Sequence, residues 1–195
     1  MQGRITTEKY RAIDLSLFAL ILMAFETIIV RASTQWFPQE AWTVSAVAAI
    51  TAIVMVRWGA WAVIHAVLGG IVFVLTSRGT ISQYVIYGIG NLAGLAVLPL
   101  LKKWGWQKLR ENALITFLYG ALTLLAMQIG RGAISLMFGA SPVAALGFIT
   151  TDAISYIFTI VILWIMSRLD GMLEDQEHYL KRLNEQQHEK EGGFQ

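Results

Sequence analysis

Cysteine is absent from the 195 residues. That excludes disulfides, thiolate catalysis and cysteine-held metal, and it removes the usual clue to redox compartment. Charge is scarce as well: 14% of the chain is Asp, Glu, Lys or Arg, against 56% hydrophobic residues, where a soluble domain carries about 25% charged residues. With a mean hydropathy of +0.57, this composition excludes an ordinary soluble domain and marks an integral membrane protein. There are three prolines: Pro38 in a polar connection, Pro99 near the end of an apolar run and Pro142 at the start of another. No metal-ligand spacing, phosphate-binding loop or nucleophile with an adjacent base occurs, so an enzyme, a cofactor and a bound metal are not expected, nor is a nucleic-acid partner. The run Gly88, Ile89, Gly90, Asn91, Leu92, Ala93 fits the dinucleotide fingerprint formally, but no strand precedes it and apolar sequence surrounds it.

What the chain does have is long apolar runs. The first, residues 13–30, ends at Arg31 and spans a hydrocarbon core of about 30 Å as a helix rising about 1.5 Å per residue. It is full length and no small-residue cleavage site follows, so it is expected to stay in the protein rather than leave as a signal peptide. It carries Asp14 near one end and Glu26 well inside. A charge at the centre of a membrane helix costs about 2.5–3.5 kcal/mol on insertion scales, so Glu26 is expected to face protein, water or a cation. Residues 33–41 read as a polar and aromatic loop. Further spans are expected at 42–56 (short), 60–76, 83–101, 113 to about 130 and 142–167, with tight turns at 57–59 and 77–82, a basic loop at 102–112 and a semi-apolar stretch, 132–141, that either continues the fifth helix or folds back. The reading is an all-α membrane bundle of six transmembrane helices over residues 1–168, followed by a charged tail, 169–195, with apolar residues near helical spacing.

Basic residues set the orientation. With six spans and the N-terminus inside, 12 of the 15 Lys and Arg residues fall on the cytoplasmic side, leaving Arg31, Arg78 and Arg131 outside, so both termini are expected in the cytoplasm. That orientation gathers polar groups from five helices into one layer near the outer face: Glu26; Thr43 and Ser45; Tyr84, Tyr87 and Asn91; Gln128 and Arg131; Thr150, Thr151, Asp152 and Tyr156. Carboxylates, a cation and hydrogen-bonding groups on rigid helices, with aromatic walls, are what a small-solute pocket requires. The candidate substrate-binding set is Glu26, Tyr84, Tyr87, Asn91, Gln128, Arg131 and Asp152. The competing reading is charge neutralisation, Glu26 or Asp152 pairing with Arg31 or Arg131, with the tyrosines as interfacial anchors. Arg31 and Arg78 lie beside loops and read as solvated, and His65 reads as a helix contact in preference to a proton relay. The pairs Gly90/Gly94 and Ala62/Ala66/Gly70 permit close helix approach, and Ala12, Ser16 and Ala19 form a small-residue stripe on the first helix that suits either internal packing or a partner helix.

On its size, six-span topology, outer polar layer and the stripe Ala12, Ser16, Ala19, the chain from about residue 10 to 169 resembles the substrate-binding S components of energy-coupling factor (ECF) transporters. The resemblance implies a six-helix bundle in a bacterial or archaeal cell membrane, with an outward-facing pocket for a vitamin or other micronutrient. It also implies docking on a transmembrane coupling subunit and two ATPase subunits, with the stripe standing where that family commonly has an alanine-xxx-alanine motif. The alternative from another class is a non-transporting multi-span scaffold of a bacterial envelope complex, whose polar layer is purely structural.

Overall fold

The computed structural model describes residues 6–37 and 44–192, which form helices and connections without a strand. Helix α1 (Thr7–Trp36) begins where Thr6 Oγ1 accepts from the Lys9 amide. It does not stop at Val30. Its backbone stays helical through Trp36 and closes with the Phe37 amide on the Ser33 carbonyl at 2.9 Å, so residues 33–36, expected as loop, belong to the helix; the Thr34 hydroxyl folds back onto the carbonyls of Val30 and Arg31, at 3.0 Å each. Residues 38–43, including Trp42 and Thr43 at the expected start of the second span, lie outside the described residues. Every fourth side chain of α1 is buried, from Asp14 through Phe18, Leu22 and Glu26 to Val30, while Ile13, Leu20 and Ile28 on other faces are exposed. An i, i+4 ridge of this kind runs obliquely to the axis and packs into its neighbours' grooves. Both carboxylates of the first apolar run therefore point into the protein.

Among the described residues, five helical runs are long and apolar enough to cross a membrane: Thr7–Trp36, Val47–Ser77, Ile81–Trp104, Ala113–Met137 and Pro142–Arg168. The second is folded back on itself. Helix α2 (Val47–Trp58) ends at Gly59, whose φ of +58° suits a residue without Cβ; one 3-10 turn, Gly59–Ala62, leads into α3 (Val63–Ser77). A Cβ on Gly69 would lie 2.6 Å from the Val47 methyls, although 22 residues of straight helix would separate them by roughly 33 Å. The two arms thus lie side by side. All twelve residues of α2 are buried, as expected of a short helix that is apolar on every side.

The third run is helical in three pieces: α4 (Ile81–Gly90), a 3-10 stretch Asn91–Val97, and α5 (Leu98–Trp104). Pro99 sits in the first turn of α5, where a missing amide hydrogen costs least. The basic connection holds the short α6 (Trp106–Glu111). Helix α7 (Ala113–Met137) continues two turns past residue 130, the first of the two alternatives for the semi-apolar stretch after Arg131, and the chain turns at Gly139, with φ +83°. Arg131 is therefore a mid-helix residue, not a terminal one. The last run is two helices, α8 (Pro142–Thr150) and α9 (Ala153–Arg168). The break falls where Thr151 turns its amide (3.0 Å) and hydroxyl (2.8 Å) onto the Gly147 carbonyl. The tail carries α10 (Gln176–Gly192), and the segment before it packs under α2, with Leu173, Glu174 and Gln176 at 0–1% exposure.

Glycines decide how closely the helices meet. A Cβ on Gly70 would stand 2.5 Å from the Tyr87 backbone, one on Gly90 2.7 Å from Arg131 Cα, and one on Gly94 2.9 Å from the Met127 side chain. These contacts bring α3, α4 and α7 nearly backbone to backbone, the use expected of the small-residue pairs. They also bring Asn91 and Arg131 within reach of each other.

Candidate functional site

A layer of buried polar side chains lies at one end of α2, and hydrogen bonds connect it across the bundle. On α7, Gln128 and Arg131 are one turn apart and share a face. Arg131 donates from Nε to Asn91 Oδ1 at 2.7 Å and from Nη1 to Gln128 Oε1 at 3.2 Å and Asp152 Oδ2 at 3.4 Å. Gln128 Nε2 donates to the same carboxylate oxygen of Asp152. The other oxygen accepts from Ser155 Oγ at 3.3 Å, and Ser155 Oγ in turn accepts from the Ser45 amide at 3.1 Å. Ser45 Oγ donates to Glu26 Oε1 at 2.8 Å, and Glu26 Oε2 accepts from the Ala46 amide, also at 2.8 Å. At the far end Asn91 Nδ2 donates to the Ala66 carbonyl at 2.9 Å. One chain of hydrogen bonds therefore joins α1, the start of α2, α9, α7, the 3-10 stretch and α3.

Glu26, Asn91, Gln128, Arg131 and Asp152, all expected in a common outer layer, meet in this network with 0–4% exposure. They do so in different roles. Glu26 is sealed off, its two oxygens occupied by Ser45 and by the amide that opens α2, where a carboxylate satisfies orphan donors and favours the helix dipole. Its partner is a helix terminus; among the described residues it makes no salt bridge with Arg31 or Arg131. Asn91 bridges Arg131 to α3, and Gln128 bridges Arg131 to Asp152. The pairing of Asp152 with Arg131 was anticipated as charge neutralisation, and the two do neutralise each other at 3.4 Å.

Above this pair lies a cavity of about 250 Å³ lined by Tyr87, Arg131, Gly147, Phe148, Thr151 and Asp152, together with Ala144. Tyr87 and Phe148 meet edge to face, ring centroids 5.9 Å apart, with Phe73 behind Tyr87 at 4.5 Å. The Arg131 guanidinium lies 4.9 Å from the Tyr87 ring centre. Among the described residues Nη2 of Arg131 has no hydrogen-bond partner, and the arginine forms part of the cavity wall. A guanidinium nitrogen with unused capacity on the cavity wall, a neutralising carboxylate and two aromatic walls can hold a small polar solute.

No family model, curated protein or solved structure matches this chain.

Other candidates fall elsewhere. Tyr84 is half-buried on α4 and does not line this cavity. Arg31 and Arg78 are exposed, Thr150 is exposed, and Tyr156 is half-buried. His65 is buried and its Nε2 donates to the Leu15 carbonyl at 3.0 Å, tying α3 to α1. In the stripe on α1, Ala12 and Ser16 are exposed beside a shallow groove with Ile13, Leu17 and Leu20, and Ala19 is half-buried.

Sequence reasoning missed a second polar centre at the opposite end of α2. Arg57 grips Asp14 with Nε at 2.8 Å and Nη2 at 2.7 Å, and Trp58 Nε1 donates to the same carboxylate at 2.6 Å. Nη1 of Arg57 donates to the carbonyls of Gly171 and Met172 at 2.7 and 3.1 Å. The signal was available: the start of one span and the end of the next share a membrane face, so Asp14 and Arg57 were at a common level. Between the two centres a recess of about 360 Å³, walled by Leu17, Ile21, Phe25, Ile50 and Ile165, is almost wholly apolar.

Proposed function

We propose that this protein is a membrane-embedded solute-binding subunit of the ECF S-component type, holding a small molecule in the cavity beside Tyr87 and Phe148. The observation that carries the reading is Arg131. A guanidinium at 4% exposure inside an apolar helix, six residues from its end, is costly unless it is hydrogen-bonded, and this one borders a cavity with, among the described residues, donor capacity to spare. In this reading the hairpin α2–α3 counts as two crossings, giving six, and the positive-inside bias puts both termini in the cytoplasm and the cavity near the outer face. Ala12, Ser16 and Ala19 supply the contact with a coupling subunit that recruits two ATPase subunits, the energy source that a chain without a nucleotide motif needs. The membrane is a bacterial or archaeal cell membrane.

A second reading, the non-transporting envelope scaffold, draws on the fact that Glu26, Asn91 and Gln128 are committed to protein hydrogen bonds. One substitution separates the two. A Cβ on Gly147 meets nothing within 4 Å, and Gly147 lines the cavity, so Gly147→Leu fills the space without touching the network. Solute identified by mass spectrometry in purified wild-type protein, and lost from Gly147→Leu at unchanged melting temperature, supports the binding subunit. Wild-type protein that purifies empty and retains envelope-assembly proteins supports the scaffold.

A further inference from the structure

Resting on that reading of the cavity, we infer that its ligand is an uncharged planar ring carrying a carbonyl-type acceptor, which takes the free donor of Arg131. Among the described residues of the polar layer Arg131 is the one cation, and Asp152 at 3.4 Å already offsets it. Glu26 stands further along the same hydrogen-bonded chain. An anionic ligand would enter a layer with no cation to spare, and a cationic one would have to draw Asp152 away from Arg131 and Gln128. Either charge would lose its water in a low-dielectric interior without a full counter-charge. A neutral group avoids that cost.

The hydrogen-bonding capacity is equally specific. Nε and Nη1 of Arg131 are held by Asn91, Gln128 and Asp152, which fix the plane of the guanidinium and leave Nη2 as its remaining donor. An acceptor on the ligand satisfies it. The hydroxyl of Thr151, on the cavity wall, donates to the Gly147 carbonyl at 2.8 Å, and its oxygen can still accept a hydrogen bond from an N–H on the ligand. The shape follows from the walls: Tyr87 already carries the Phe73 ring at 4.5 Å and the Arg131 guanidinium at 4.9 Å from its ring centre, so the contact surface left is chiefly its edge and the Phe148 ring, which stands at 66° to it. Flat π-systems fill such a corner better than puckered ones. An amide-bearing or lactam-type aromatic ring meets all three conditions.

Four compounds of matched size test this on wild-type protein in lipid nanodiscs, by calorimetry and thermal shift at millimolar concentration: benzamide, benzoate, benzylammonium and cyclohexanecarboxamide. Benzamide is expected to bind about tenfold more tightly than each of the others, and to lose its binding in Gly147→Leu. Arg131→Lys should lower benzamide affinity; if it unfolds the protein, Thr151→Val, expected to weaken benzamide several-fold at unchanged melting temperature, takes its place. Tightest binding by benzoate or benzylammonium would overturn the inference while leaving the cavity a binding site. Equal binding of cyclohexanecarboxamide would overturn its planar part. No binding by any of the four, with nothing co-purifying, would overturn both the inference and the proposed function.

Discussion

Glu26 offers the sharpest perturbation, because its two oxygens meet two different donors at the start of a buried helix. In Glu26→Gln the carbonyl of the new side chain can accept from the Ala46 amide. Its NH₂ can donate to Ser45 Oγ, an oxygen that now accepts from the Val47 amide at 3.2 Å and has a second lone pair. Two bonds remain, but both become neutral where they were charge-assisted, and the Ser45 hydroxyl hydrogen loses the acceptor it has in Glu26 Oε1. A bond to a charged group contributes about 1.5–3 kcal/mol and a neutral one about 0.5–1.5, and a carboxylate at a helix N-terminus adds about 0.3–1 kcal/mol. Against this, removing a fully buried charge relieves a desolvation cost of several kcal/mol. The net loss for the glutamine variant is therefore small, about 1 kcal/mol. Glu26→Ala is different: it orphans the Ser45 hydroxyl and the Ala46 amide, at about 1–3 kcal/mol each, and leaves a hole at 0% exposure, for a total of about 3–5 kcal/mol. Chemical denaturation of both variants in nanodiscs without ligand measures the two losses, and solute affinity is expected to change less than about twofold in the Glu26→Gln protein. If the glutamine variant is destabilised as much as the alanine one, the charge itself holds the α1–α2 contact. If Glu26→Gln abolishes binding while leaving apo stability untouched, Glu26 touches the ligand and the sealed geometry described above is not the functional one.

Three further outcomes follow from other parts of the structure. Gly70→Ala, whose Cβ would press on the Tyr87 backbone at 2.5 Å, should destabilise by about 1–3 kcal/mol or more, whereas Gly88→Ala on the same helix pair, with open space around the new Cβ, should be neutral or stabilising by up to about 1 kcal/mol; equal effects in denaturant melts would refute the backbone-contact account. Arg57→Met, which strands the buried Asp14 carboxylate, should cost about 3–5 kcal/mol, and combining it with Asp14→Leu should recover most of that loss; simple additivity in the double-mutant cycle would show that the pair is not coupled. Because the chain has no cysteine, single cysteines report topology directly: in intact cells a membrane-impermeant maleimide should label Ser82→Cys and not Lys103→Cys, and the reverse pattern would invert the proposed orientation.

Composition and hydropathy pattern were enough to mark a multi-span membrane protein and to group five members of its polar layer, though Tyr84 and Thr150 fall outside the network and Ser155 joins it. Low charge and long apolar runs leave no soluble alternative, and acids or amides inside such runs must turn inward, since lipid offers them no partner. That is why Glu26, Asn91, Gln128, Arg131 and Asp152 could be grouped in advance, and why helical runs were found near every expected span. What each member does was not legible, because hydrogen-bond capacity is allotted in three dimensions. Glu26 is taken up by the end of a helix about twenty residues downstream, and Arg131 keeps, among the described residues, the Nη2 hydrogens unused because Asn91, Gln128 and Asp152 occupy its other donors. Helix ends and breaks were also beyond local reading: α1 runs on through the polar residues 33–36, and the last apolar run breaks at Thr151. The depth of burial of α2 and the Asp14–Arg57 clamp depended on the hairpin at Gly59. Local pattern fixes which residues must leave the lipid; only the packing of distant segments decides which partner each one finds.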